Sequence, residues 1–134
     1  MEKFNVKIVD GDSKLMLEAA HTWDAAFDVR TRLIVVDGQE FESYELQPMR
    51  ACLVKTGLFI ELKEGWEVQV RSRSGLALKN NIFVLNSPGT IDAQYRGECG
   101  VILFNNGIKP FVINKYDRVA QFCFREVPQI GFNI

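Results

Sequence analysis

The sequence holds one histidine, three widely separated cysteines and no long apolar run. Each shortage removes a class of function. His21 has no second histidine and no cysteine near it, so no zinc-ligand spacing exists. Cys52, Cys99 and Cys123 are odd in number and form no CxxC pair, so they read as reduced, mostly buried thiols. No stretch nears the ~18 apolar residues of a spanning helix. The opening MEKFNVKIVDGDSKL has no apolar signal core either, so the expectation is a cytoplasmic protein without a membrane partner. An excess of one charge is also missing. The 16 Lys and Arg against 17 Asp and Glu leave a net charge of -1, which argues against a nucleic-acid partner selected by bulk charge. A few local arginines would still suffice for a small anion such as phosphate.

What is present is strand. At 134 residues with 47% hydrophobic and 25% charged side chains, residues 1–134 read as a single domain with an ordinary core. In WEVQVRSRS, Trp66, Val68 and Val70 alternate with Glu67, Gln69, Arg71 and Arg73, a period of two. ACLVKTGLFIEL and RVAQFCF are equally rich in strand formers. CGVILFNN is apolar at consecutive positions and predicts a strand covered on both faces. Turn signals such as DGD, KEGW, NSPG and NNGIKP recur about every ten residues, the rhythm of an all-β sandwich or barrel. Only GLALKN suggests a helix, with Ser74 as its cap. The apolar strand at 99–104 and the ending VPQIGFNI suggest burial against something else, such as another copy of the chain.

Two stretches could carry chemistry. RSRSGLAL delivers Arg73, Ser74 and Gly75 from a strand to the start of a short helix, where unpaired N–H groups and a partial positive charge favour phosphate. The plainer alternative is a serine cap beside two solvated arginines. NSPGTIDAQYRGE turns at Pro88-Gly89 and continues as an extended hairpin arm whose backbone could read a base edge. There Asp92 is a candidate general base and Tyr95 a ring for a sugar or base. The plainer alternative makes Asp92 a turn former and packs Tyr95 in the core. Asp28 and Gln121 are polar residues in apolar settings that backbone hydrogen bonds alone could satisfy. Arg118 could serve structure by pairing with a carboxylate.

Taken in order, AAFDV, RSGLAL, NSPGTIDAQYRGE and RVAQFCF resemble the trimeric dUTPase family, the deoxyuridine triphosphate nucleotidohydrolases. Four of that family's five motifs are recognisable, from about residue 20 to the end, and GxIDxxYRGE is the most specific piece. The resemblance implies a jelly-roll-like all-β subunit (a β-clip) with one short helix, in a homotrimer with active sites between subunits. It implies hydrolysis of dUTP to dUMP and pyrophosphate with Mg²⁺, limiting uracil in DNA and supplying dUMP. By motif, Asp92 would activate the attacking water, and Gln121 would contact phosphate or that water. Tyr95 would pack on the deoxyribose and exclude a 2′-hydroxyl. Asn86 and the backbone of Gly89, Thr90, Ile91 and Asp92 would recognise uracil. Arg73, Ser74 and Gly75 would hold the phosphates from a neighbouring subunit, and Asp28 would meet Mg²⁺ through water. Mg²⁺ keeps several waters and takes oxygens from phosphates, so a dense carboxylate cluster is not required.

The departures are specific. Ala26 and Val29 replace a glycine and a leucine of the first motif, and Gln94 replaces a frequent second acid. Ser72 stands where a proline is usual and is expected to loosen the entry to the phosphate loop. The family's fifth motif, a Gly-rich tail with Arg and Phe, does not appear before Ile134. Either the tail belongs to a longer gene product, or the protein is a slow enzyme or a nucleotide-binding or regulatory relative. A dCTP deaminase, which shares the fold, would carry a glutamate where GVILFNNG has Ile102, so deamination is disfavoured.

Overall fold

Alternating apolar residues and frequent turns produce thirteen short strands and one α-helix, in a computed structural model that describes residues 1–134. β1 (Asn5–Ile8), β2 (Phe27–Arg30), β3 (Leu33–Val36), β4 (Gln39–Phe41), β5 (Ser43–Leu46), β6 (Ala51–Lys55), β7 (Leu58–Glu61) and β8 (Trp66–Ser72) precede the helix α1 (Ser74–Asn80). β9 (Ile82–Val84), β10 (Gly89–Ile91), β11 (Gly100–Asn105), β12 (Phe111–Asn114) and β13 (Arg118–Glu126) follow it. Two 3-10 turns, Val9–Gly11 and Ser13–Leu15, complete the elements.

All the ladders are antiparallel. A four-stranded sheet runs β10-β8-β13-β2 and a five-stranded sheet runs β4-β3-β6-β11-β9, with the pairs β1-β7 and β12-β5 beside them. This is the all-β, jelly-roll-like architecture expected. The alternation in β8 behaves as its residues dictate: Val68 and Val70 are buried, and Trp66 is half-buried. They meet Phe122 of β13 and Val54, Val101 and Leu103 of the second sheet in one core of 20 buried residues. Burying a side chain such as Phe122, which is wholly inside, stabilises the fold by about 1.5–3 kcal/mol.

Two local expectations fail. β11 is not covered on both faces within one chain. Val101, Leu103 and Asn105 point inward, whereas Ile102 is 38% exposed and Phe104 half-exposed. Nor do the arms flanking Pro88-Gly89 form a hairpin. β9 pairs with β11 and β10 pairs with β8, so Leu85–Pro88 carries the chain from one sheet to the other. β10 also ends at Ile91, where an extended run through Tyr95 was expected. The Tyr95 amide donates to the Asp92 carbonyl at 3.1 Å and closes a turn instead.

Candidate active site

β8 acts as a rod that carries candidate site residues at both ends. At its C-terminal end, Gln121 on β13 lies opposite Arg71 on β8 and opposite Asp28 on β2. Cross-strand partners share a face, so the three form one polar row on the outside of the four-stranded sheet. Arg73, just beyond β8, turns back onto this row, and its Nε lies 3.2 Å from Asp28 Oδ1. Asp28 is 14% exposed and Arg73 31%, so the pair is shielded well beyond a typical surface ion pair. Asp28 is therefore matched to a guanidinium and is not merely satisfied by backbone groups. Arg73 Nη1 also donates to the Arg118 carbonyl at 3.4 Å. The Arg118 side chain is exposed and pairs with no carboxylate.

The helix start differs from the expected cap. Arg73, at φ -84° and ψ 128°, keeps the extended backbone of β8 and so occupies the flanking position; no side chain caps the helix. Ser74 is the first helical residue, and its side chain is exposed. The first intrahelical bond runs from the Ala77 amide to the Arg73 carbonyl at 3.0 Å, so the amides of Ser74, Gly75 and Leu76 precede the ladder. A Cβ on Gly75 would meet nothing within 4 Å. Ser72 does not loosen this entry. Its hydroxyl accepts from the Val84 amide at 2.9 Å and fastens the end of β8 to β9.

The other end of β8 carries Asp92. Gly89, Thr90 and Ile91 lie opposite Val70, Gln69 and Val68, which delivers Asp92 beside Glu67. Asp92 and Glu67 line a cleft of about 560 Å³ together with Trp66 and the segment Val127–Gln129. Gly89 and Ile91 are buried while Asn86, Thr90 and Asp92 are exposed. A Cβ on Gly89 would lie 3.1 Å from Val70 Cβ and 3.5 Å from Asn86 Nδ2, so Asn86 is folded close against this strand. Tyr95 is 45% exposed and does not pack in the core. Its hydroxyl donates to the Glu98 carbonyl at 2.7 Å. A Cβ on Gly97 would sit 2.7 Å from that hydroxyl, so only glycine admits the ring there.

Three residues that sequence reasoning left without a role hold this loop. Arg96 donates through Nη1 to the carbonyls of Ala93 and Tyr95 and through Nη2 to that of Leu62. Glu98 accepts both Nε and Nη2 of Arg32 at 2.9 Å each, and the Gly57 amide at 2.8 Å. Burial pushes the Glu98 carboxyl up, but the Arg32 and Gly57 hydrogen bonds and the Arg32 charge outweigh it and leave it below the ordinary value. The same pairing raises Arg32. Arg32 lies 66 residues before Glu98, so no local pattern could announce the pair. The three cysteines are free and buried, and burial pushes Cys52 up to about 12 and Cys99 up to about 11. Thiols held that far from ionisation are poor nucleophiles.

From Glu67 to Arg73 is six residue steps, about 20 Å at ~3.3 Å per residue. One chain therefore gathers Asp28, Arg73, Ser74, Gly75 and Gln121 at one end of β8, and Asp92 and Tyr95 at the other. Asn86 and Gly89 lie beside the middle of the strand. A dUTPase family model matches residues 16–133.

The chain belongs to the dUTPase family.

Two curated relatives carry the name deoxyuridine 5'-triphosphate nucleotidohydrolase. The protein of Alkaliphilus metalliredigens is 44% identical over 129 residues, covering 95% of this chain and 83% of its own length. That of Clostridium tetani is 42% identical over 126 residues, covering 94% and 80%. The dUTPase from phage phi11 of S. aureus superposes with a TM-score of 0.83 at 21% identity, over 99% of this chain and 96% of the phage protein; that structure concerns a structural Mg(II) ion. Staphylococcus bacteriophage 80alpha dUTPase, solved with dUPNHPP, gives 0.82 at 20% identity over 100% and 88%. At such identities the two phage structures speak for the dUTPase fold.

Proposed function

We propose that this protein is a dUTP diphosphatase that hydrolyses dUTP to dUMP and pyrophosphate, supplying dUMP and limiting uracil in DNA. The observation that carries the reading is an exposed carboxylate, Asp92, one turn from an exposed ring, Tyr95, on a loop locked by Arg96 and Glu98. In this reading Asp92 accepts a proton from a water that attacks the α-phosphorus. A bond forms from the water oxygen to phosphorus, the α–β bridging bond breaks, and pyrophosphate leaves. Tyr95 packs against the deoxyribose, while the backbone of Gly89 to Asp92 and Asn86 hold the uracil. Donor and acceptor mismatch rejects cytosine, and a tight pocket rejects the thymine methyl.

The phosphates are assigned to Arg73, Ser74 and Gly75, with Gln121 toward phosphate or the attacking water. A base acting at the α-phosphorus needs the phosphate-holding groups within a few ångströms. Within one chain they lie about 20 Å away along β8. The reading therefore requires a second copy to supply them, as in a homotrimer with sites between subunits. The uncovered Ile102 face of β11 is apolar surface of the sort such assembly buries.

The donor set fits Mg²⁺ only as an ion brought by the nucleotide. No group of three or more His, Cys, Asp or Glu lies together, and Asp28 is already matched to Arg73. Asp28 would then hold a metal-bound water, and Mg²⁺ would supply charge neutralisation on the phosphates. We place the activity in the cytoplasm, in keeping with three free thiols.

The test is pyrophosphate release with Mg²⁺ from dUTP, UTP, dTTP and dCTP in parallel. Release from dUTP alone supports the reading. No release with dUTP still bound turns the protein into a nucleotide-binding relative, and no release with no binding removes the site assignment.

A further inference from the structure

The chemistry assigned to Asp92 and Tyr95 makes no use of Glu98 and Arg32, yet this is the best-made ion pair in the molecule. Its carboxylate is 14% exposed and its guanidinium 21%. The Glu98 carboxylate accepts three hydrogen bonds, from two parallel N–H donors of Arg32 at 2.9 Å and the Gly57 amide at 2.8 Å. The other ion pairs close through one contact between 2.8 and 3.8 Å. A bidentate Arg–carboxylate pair fixes orientation as well as distance. What it orients is the Glu98 main chain, whose carbonyl accepts the Tyr95 hydroxyl at 2.7 Å.

The neighbours reinforce the same point. The Cys99 amide donates to the Leu58 carbonyl at 2.8 Å, and the Cys99 carbonyl accepts the Thr56 hydroxyl at 2.7 Å. Thr56 is wholly buried. Glu98 is thus tied to the turn between β6 and β7 on both sides of its own carbonyl. Gly97, lacking a side chain, leaves the ring room to lie back on that carbonyl. The ring is consequently held at its hydroxyl end by a peptide that cannot drift, while the rest stays open to solvent.

We propose that Glu98 and Arg32 are positioning residues for Tyr95, and that they set how strictly the site excludes a 2′-hydroxyl. This rests on the reading of Tyr95 as the sugar-facing ring. A filter that rejects one added oxygen must not swing aside, since a ring free to move would admit the ribonucleotide. The paired side chains contact each other and the Gly57 amide and no group assigned to substrate, so their effect on Tyr95 passes through the Glu98 carbonyl.

The experiment combines kinetics with spectra of tyrosine-labelled protein. The chain has three tyrosines, Tyr44, Tyr95 and Tyr116, so ¹³C-labelled ring signals are few and Tyr95→Phe assigns the relevant one. In Glu98→Ala the Tyr95 signal should narrow and shift while those of Tyr44 and Tyr116 stay. The kcat/KM ratio for dUTP over UTP should fall by about fivefold, chiefly by a gain on UTP. Arg32→Lys, which keeps the charge but loses the fork, should move both readouts the same way and to a smaller degree. On a Tyr95→Phe background, Glu98→Ala should leave the ratio unchanged, because the hydroxyl contact is already gone.

An unchanged ratio with a folded variant overturns the proposal. So does a parallel loss on both substrates, or movement of all three tyrosine signals together, since each marks a general structural role. If the parent itself fails to turn over dUTP, the proposed function falls. The tyrosine spectra then still decide the positioning role, and a Tyr95 signal unaffected by Glu98→Ala ends it.

Discussion

Gly75 and Gly97 belong to the two ends of the proposed site, and the space around them differs completely. A side chain at Gly97 would collide with the Tyr95 hydroxyl at 2.7 Å, so glycine is what lets the ring keep its seat on the Glu98 carbonyl. A side chain at Gly75 would meet nothing within 4 Å, so the isolated chain has no use for glycine there. The Asp92 end is built within one chain: its turn is closed, its arginine is spent on carbonyls and its glutamate accepts three hydrogen bonds. The Arg73 end is open, with an uncapped helix start and an exposed Ser74. A group that must deliver a proton-accepting oxygen to one point gains from being built in advance. Groups that would hold a flexible triphosphate, the role proposed for Arg73, Ser74 and Gly75, can complete their contacts when the ligand arrives.

The harshest break of that comparison is at the built end. Asp92→Asn keeps the size and the exposed position of the side chain but removes its capacity to accept a proton. Turnover of dUTP should fall by about 10²–10⁴-fold, the usual worth of a positioned general base. Nucleotide binding, followed by calorimetry, should be largely retained. A variant turning over at the parent rate would show that the locked loop serves recognition and that the base lies elsewhere.

The two glycines sharpen the comparison at an intermediate scale. Gly97→Ala should push the Tyr95 ring off the Glu98 carbonyl and lower stability by about 0.5–1.5 kcal/mol, the worth of the hydrogen bond lost. It should also weaken discrimination against UTP. Gly75→Ala should leave Tm unchanged or raise it slightly, since alanine is favoured over glycine in a helix by about 1 kcal/mol. Its kcat/KM for dUTP should nevertheless drop, by about tenfold if one close backbone contact worth ~1.4 kcal/mol is lost. Thermal melts beside steady-state rates read both. If Gly75→Ala leaves the rate intact, no ligand approaches that backbone, and the open end is merely a loose end.

Much of this was legible in the order of residues. The period of two in WEVQVRSRS placed Val68 and Val70 inside, because a half-buried strand cannot alternate otherwise. Asp92 and Tyr95, like Arg73 to Gly75, stay together in the fold because they are neighbours in sequence. What stayed hidden depends on distant partners. Leu85–Pro88 looks like a hairpin turn, yet its arms join different sheets, a choice made by whole-sheet packing. Ile102 reads as core because hydropathy alone cannot say whether a second layer covers it within the same chain. Ser74 looks like a cap, but the extended backbone of β8 persists through Arg73 and shifts the helix start by one residue. Glu98 stands in the most specific motif, but its partner Arg32 lies 66 residues away and shows only when the fold joins them.

The finest test of how rigid the built end is comes from acid titration. The Glu98 carboxyl is held below its ordinary value in the folded protein, despite burial, by Arg32 and the Gly57 amide. A carboxyl that is more acidic when folded takes up a proton more readily when unfolded. The stability it contributes is therefore present in full above the unfolded value of about 4.3 and is lost as pH falls through the lower folded value. Glu98→Gln removes the charge and keeps the shape, so at neutral pH it should cost about 1.5–3 kcal/mol, the range for a hydrogen bond to a charged group. Denaturant melts of the parent and the variant from pH 7 to pH 3 should converge, because acid does to the parent what the substitution has already done. Curves that stay parallel through this range would mean that the proton goes elsewhere, and that the fork on Arg32 holds the loop by shape and not by charge.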